Sequence, residues 1–220
     1  MTPTHDERIR RFTGAGIYFV TSASLSSGRD TLSVLRAALD GGIRLVQLRE
    51  KDLSARRFAD LARSARELTH RYDALFIVND RLDVALACDA DGVHLGQDDL
   101  PVADARRVAP SLIIGASSHS ETEARAAQAA GASYVNIGPI FPTRTKEWTS
   151  AFLGLDGLDS IRRVLSVPFT VMGGIKAQHI PELVHHGAQT IAVVTAISQA
   201  PDPRMAAAQL LQAYAQATAG

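Results

Sequence analysis

The chain has 220 residues, of which 46% are hydrophobic, and 23 basic residues balance 23 acidic ones at zero formal charge. Such a balance gives no long-range field for nucleic acid or an anionic membrane, and every apolar run is far shorter than the roughly 20 residues that span a bilayer. One cysteine, Cys88, excludes an internal disulfide, and the polar stretch around His5, Asp6 and Glu7 has no apolar core of the signal-peptide kind, so a single domain in the cytoplasm is expected.

In chain order, a short helix over Asp6–Phe12 precedes a first apolar, β-branched run, Ile17–Thr21. Further strands are expected at Ile43–Leu48, Ala74–Asn79, Gly92–Leu95, Leu112–Ala116, Tyr134–Gly138, Phe169–Met172 and Thr190–Thr195. The intervening segments are rich in Ala, Leu and Arg, with apolar residues three and four apart as amphipathic helices require. They cover Thr31–Leu39, Ala55–Arg71, Arg81–Cys88, Val102–Val108, Glu121–Ala130, Leu155–Leu165, Ala177–His186 and Pro203–Ala217. Ser54 and Ser120 stand at helix starts, and Gly41-Gly42, Gly131 and Gly187 at helix ends. Alternating strands and helices make an α/β protein with a parallel sheet, and eight such pairs close into a (β/α)8 TIM barrel with a short N-terminal helical extension. An open doubly wound sheet is the competitor, but it would usually show a Gly-rich first turn, and none follows Ile17–Thr21.

Chemistry-bearing residues recur where these strands end, the rim on which barrels of this kind carry their active sites. After the second strand, alternation sends Gln47, Arg49 and Lys51 to one side and Leu48 and Glu50 to the other. Three donors on one face, two of them cationic, suit a phosphate or diphosphate; a solvated strand end with a Glu50–Lys51 surface pair is the alternative. Asn79-Asp80 closes the third strand, and Gln97-Asp98-Asp99 follows the fourth. Two acids beside a cationic clamp match Mg2+, which takes one or two protein carboxylates and fills its other positions with water and phosphate oxygens. Against this, Asp80 is also placed to cap the next helix, and Asp98 and Asp99 to make a turn before Leu100-Pro101. The longest irregular stretch follows Gly138 and contains Thr143, Arg144, Thr145 and Lys146; long loops in compact domains are usually lids or binding loops. Gly173-Gly174 and Val194-Thr195 end the seventh and eighth strands, where barrels often build a phosphate site. Cys88 reads as a small buried helix residue rather than a nucleophile.

Taken together, Gln47 to Lys51, Asn79-Asp80, Gly92 to Gln97 with Asp99, and Gly138 to Thr143 with Thr145-Lys146 resemble the signatures of the thiamine phosphate synthase family, in family order from about Ile17 to Ile197. The resemblance implies a barrel enzyme that displaces diphosphate from a pyrimidine diphosphate with the nitrogen of a thiazole phosphate. It implies Mg2+ as cofactor, held by Asp80 and Asp99. Gln47, Leu48, Arg49, Glu50, Lys51, Asn79 and Lys146 would bind the pyrimidine diphosphate, with Ser117 near the ring. Thr143, Arg144, Thr145, Gly174, Val194 and Thr195 would meet the thiazole phosphate, and Arg49, Lys51 and Lys146 would stabilise the departing charge. The partners implied are small molecules, and the oligomeric state stays open. Three departures are visible: Thr195 stands where the family more often has Ser, Ser22 where Asp is common, and Lys146 is followed by Glu147-Trp148 rather than a small or Pro/Gly-rich continuation. Two other readings compete. One is an isomerase like the thiazole tautomerase relatives, which lack the paired acids, with His119 where their catalytic His would fall. The other is a non-catalytic barrel that senses thiazole phosphate.

Overall fold

The computed structural model describes residues 4–143 and 152–219. Eight parallel strands close in sequence order: β1 Gly16–Val20, β2 Leu45–Leu48, β3 Leu75–Asn79, β4 Gly92–Leu95, β5 Ile113–Ser118, β6 Tyr134–Ile137, β7 Phe169–Val171 and β8 Thr190–Val193. The seam is shut by β1 and β8, with Ile17 opposite Ile191. Around them lie α1 His5–Thr13, α2 Thr31–Asp40, α3 Ala55–Arg71, α4 Leu82–Ala87, α5 Val102–Val108, α6 Glu121–Ala129, α7 Gly154–Arg162, α8 Ile180–His185, α9 Thr195–Ser198 and α10 Pro203–Ala219. None of the described helices is long and apolar enough to cross a membrane.

Strand alternation sorts side chains into two cores. Outward residues such as Phe19, Val46, Leu48, Phe76, Val93 and Val135 pack under the helices. Inward residues Tyr18, Leu45, Leu75, Ile77, Ile113 and Tyr134 fill the barrel, and Phe12 of α1 closes it from below against both tyrosine rings. The helix starts read from sequence are real caps: Ser54 accepts the Arg57 amide, and Ser120 that of Glu123. Cys88 is buried.

Most boundaries shift by a few residues from the sequence reading, and three of the differences bear on the site or have a local reason. The fifth strand runs on to Ser118, so Ser117 lies inside the sheet opposite Asn136. The helix expected over Ala177–His186 is a 3-10 turn, Ala177–His179, followed by α8, because Pro181 lacks the amide a continuous helix needs and sits at the new helix start. The eighth strand stops at Val193: Val194 leaves extended geometry at φ −115° and ψ −82°, and Thr195 opens the single turn α9. The run Val194 to Ile197 has the composition of a strand, and only its tertiary setting turns it.

Candidate active site

The second strand delivers its side chains as alternation requires. Gln47 points into the barrel, where Nε2 donates to the Tyr18 hydroxyl at 2.8 Å. Leu48 faces outward into the helix-covered core, away from the cavity. The Glu50 carboxylate is also directed elsewhere. It accepts from the hydroxyls of Thr21 at 3.1 Å and Thr31 at 2.8 Å and from the Ala23 amide at 2.8 Å. Glu50 therefore ties the loop after β1 and the start of α2 to the strand end carrying Arg49 and Lys51, and the surface pair between Glu50 and Lys51 is not formed. Lys51 instead reaches Asp80, with Nζ 3.4 Å from Oδ2, and the Arg49 guanidinium has no ion pair among the described residues.

Asp80 does not cap the helix that follows it. Its backbone is left-handed at φ +62°, a conformation that Asp tolerates better than most residues, and Arg81 occupies the cap position of α4 without a capping side-chain bond. Its amide donates to the His94 carbonyl at 2.8 Å, the last ladder bond between β3 and β4, and the left-handed backbone at this position leaves the carboxylate on the rim. Asp99 combines both roles read from the sequence: Oδ2 accepts the Gly96 amide at 2.7 Å, closing a turn, while the residue lines the same cavity as Asp80. Burial and the neighbouring Asp99 carboxylate raise the Asp80 carboxyl above its ordinary range, and Lys51 opposes that shift. Two acids held against their mutual repulsion beside a cation form a donor set that fits one hard divalent cation completed by other oxygen ligands. Among the described residues no group of three or more His, Cys, Asp or Glu side chains gathers for a metal.

Deeper in the barrel, His94 bonds the Tyr134 hydroxyl through Nδ1 at 2.8 Å and Ser117 Oγ through Nε2 at 3.0 Å. Full burial pushes its pKa down to about 4, so the imidazole is neutral at ordinary pH. Thr170 donates to Asn136 Oδ1 at 2.7 Å on the neighbouring arc.

The opposite arc is built from backbone. Phe141 donates to the Gly173 carbonyl, and the Leu153 and Gly154 amides return to the carbonyls of Pro139 and Ile140, so both ends of the long segment after β6 are pinned at its base. Gly174 has φ +64°, and a Cβ there would lie 2.9 Å from the Phe141 carbonyl oxygen, so only glycine lets these two loops approach. Thr143, Gly174, Val194 and Thr195 line this side, whereas Arg144, Thr145 and Lys146 lie outside the described residues. His119 also faces the cavity, with Nδ1 2.9 Å from Glu123 Oε2.

Gln47, Arg49, Lys51, Asn79, Asp80, Asp99 and Ser117 meet those four residues around one cavity of about 670 Å³ at the C-terminal mouth of the barrel. Leu48 and Glu50 are the two expected residues, among those described, that do not line it. Asn136 and His94 also line it; the sequence reading did not single out Asn136, and it placed His94 in a family signature without a role. The signal available for them was a polar side chain at an inward position of an otherwise apolar strand.

Comparison with known proteins shows the family. A family model described as thiamine monophosphate synthase matches residues 17–197. Thiamine-phosphate synthase of Chloroflexus aurantiacus is 48% identical over 88% of this chain and 90% of its own length. The Moorella thermoacetica thiamine-phosphate synthase is 42% identical over 91% and 96% respectively. The solved thiamine phosphate pyrophosphorylase of Pyrococcus furiosus superposes with a TM-score of 0.86 at 38% identity, covering 94% of this chain and 98% of that one. By fold and by sequence along nearly its whole length, the chain belongs to the thiamine monophosphate synthase family.

Proposed function

We propose that the chain joins a pyrimidinylmethyl diphosphate to the ring nitrogen of a thiazole phosphate, giving thiamine phosphate and diphosphate with the help of Mg2+. The observation that carries this reading is the sharing of one cavity by the Arg49/Lys51 and Asp80/Asp99 cluster on one arc and the Gly174/Thr195 surface on the other. Asp80 and Asp99 would hold Mg2+, which when bound adds positive charge against the diphosphate oxygens. Gln47, Arg49, Lys51 and Asn79 would bind the pyrimidine diphosphate together with Lys146, and Ser117 would lie near its ring. Thr143, Gly174, Val194 and Thr195, with Arg144 and Thr145, would receive the thiazole phosphate. Leu48 and Glu50 support the clamp from behind.

In this chemistry the carbon–oxygen bond breaks with its electron pair leaving on diphosphate, and the lone pair of the thiazole nitrogen forms the new carbon–nitrogen bond. An electron-rich pyrimidine favours ionisation before capture, so no protein nucleophile is required. The side chains' work is to stabilise departing negative charge through Arg49, Lys51 and Lys146, to hold the acceptor nitrogen in line, and to exclude water from the cation. The test is direct: purified protein is given both substrates with Mg2+, and thiamine phosphate and diphosphate are measured. Absence of thiamine phosphate would sink the reading. The isomerase reading keeps one foothold, His119 in the cavity, and its signature would be conversion of a thiazole phosphate without any pyrimidine diphosphate.

A further inference from the structure

Five side chains from five strands form one unbranched line through the barrel. Gln47 Nε2 donates to the Tyr18 hydroxyl at 2.8 Å, the Tyr18 and Tyr134 hydroxyls are 3.1 Å apart, and Tyr134, His94 and Ser117 continue it at 2.8 and 3.0 Å. Gln47, His94 and Ser117 line the cavity, whereas Tyr18 and Tyr134 do not and are 1% and 0% exposed. The substrate roles given above leave both tyrosines unused.

Hydrogen counting gives the line a direction. The Tyr18 oxygen receives the Gln47 amide hydrogen, and among the described residues the Tyr134 oxygen is the only acceptor for the Tyr18 hydrogen. Tyr134 must then direct its own hydrogen to His94 Nδ1, because a buried hydroxyl left without an acceptor is costly. A neutral imidazole that accepts at Nδ1 carries its hydrogen on Nε2, and that hydrogen goes to Ser117 Oγ. The Ser117 hydroxyl hydrogen is thereby released to the cavity. Packing holds the Tyr134 ring in the position this line needs. Phe12 lies against it at 4.3 Å between centroids, His94 stacks at 5.6 Å, and Gly115 leaves it room, since any Cβ there would collide with it.

We propose that Tyr134 is a positioning residue for substrate-ring recognition: its hydroxyl holds His94 in the Nε2–H tautomer and so presents Ser117 to the ligand as a hydrogen-bond donor. The ligand class that matches is a heteroaromatic ring with a nitrogen lone pair facing Ser117. This rests on the proposal that a pyrimidine occupies the cavity.

Nitrogen-15 spectra of histidine-labelled protein, with the His94 signal assigned by His94→Asn, read the tautomer without any substrate. The expected result for the unmodified chain is a protonated Nε2 and a bare Nδ1, and an Nδ1–H tautomer overturns the proposal. In Tyr134→Phe, which keeps the ring and removes only the hydroxyl, the His94 signals should move to a mixture of tautomers. Its kcat/KM for pyrimidine diphosphate should fall about tenfold, the weight of one neutral hydrogen bond, while the affinity for inorganic diphosphate with Mg2+ stays unchanged. If Tyr134 acts through Ser117, the double variant Tyr134→Phe/Ser117→Ala is no worse than Ser117→Ala alone. Losses that multiply would mean a packing role only and refute the relay. Should the unmodified chain make no thiamine phosphate, the functional reading fails, and the tautomer alone decides the relay.

Discussion

At the bottom of the barrel, Asp91 lies buried between Arg8, with Nε 3.5 Å from Oδ1, and Arg66, 2.9 Å from Oδ2, and it also accepts the Phe76 amide. At the top, Asp80 faces the Asp99 carboxylate and has, among the described residues, a single cation, Lys51 at 3.4 Å, to offset it. The lower acid is surrounded by opposite charge and supplied with hydrogen bonds, so it ties α1 and α3 to the strand ends. The upper pair is left in mutual repulsion, which a bound cation would relieve. The same residue type thus closes the barrel at one end and keeps it receptive at the other. Removing charge should therefore damage stability below and function above.

The largest effect is expected at the top. Asp80→Asn or Asp99→Asn should lower turnover on the order of a thousandfold, as expected when metal-assisted charge stabilisation is removed. Thermal stability without Mg2+ should be unchanged or higher in Asp80→Asn. The sign follows from linkage. The Asp80 pKa is raised in the fold, so between its unfolded and folded values the native state binds the extra proton. Stability of the metal-free protein then rises as pH falls through that window, and Mg2+ affinity falls with it. Turnover undiminished in excess EDTA would break the contrast between the two ends.

At the bottom, Asp91→Ala should cost about 3–5 kcal/mol of folding stability, because it leaves Arg8 and Arg66 without their counter-charge. Below its lowered melting temperature, the variant should retain near-normal KM values. A selective loss of pyrimidine diphosphate affinity would show that the two ends are not independent. Within the upper rim, Gly174→Glu should weaken thiazole phosphate binding by about ten- to a hundredfold through crowding and repulsion, while pyrimidine diphosphate with Mg2+ still binds. Calorimetric titration of each ligand separates the arcs, and equal losses would mean one shared phosphate site. The smallest effect belongs to α1. Thr4→Ala removes its capping box and should cost about 1 kcal/mol without touching turnover.

Much of the architecture was legible in the residues because doubly buried parallel strands leave short apolar, β-branched runs and amphipathic helices a period of 3.6, signatures that need no knowledge of distant partners. The rim could be read for the same reason: polar residues that end an apolar run must emerge at a strand terminus, as Gln47, Asn79-Asp80 and Gly173-Gly174 do. Alternation also separated Leu48 and Glu50 from the clamp, although the resemblance placed them in it. What escaped was whatever depends on a partner far along the chain. Nothing near Glu50 says that Thr21 and Thr31 will take its carboxylate, and nothing near Asp80 says that it will face Asp99 instead of capping the next helix. Tyr18 and Tyr134 lie in separate apolar runs, 116 residues apart, and only barrel closure brings their hydroxyls together between Gln47 and His94. Local sequence thus determined where strands, helices and rim residues fall, because those follow from backbone sterics and from the burial of one face. Closure of the sheet alone decided which polar side chains meet, because only then are donors and acceptors from different strands buried together and obliged to pair.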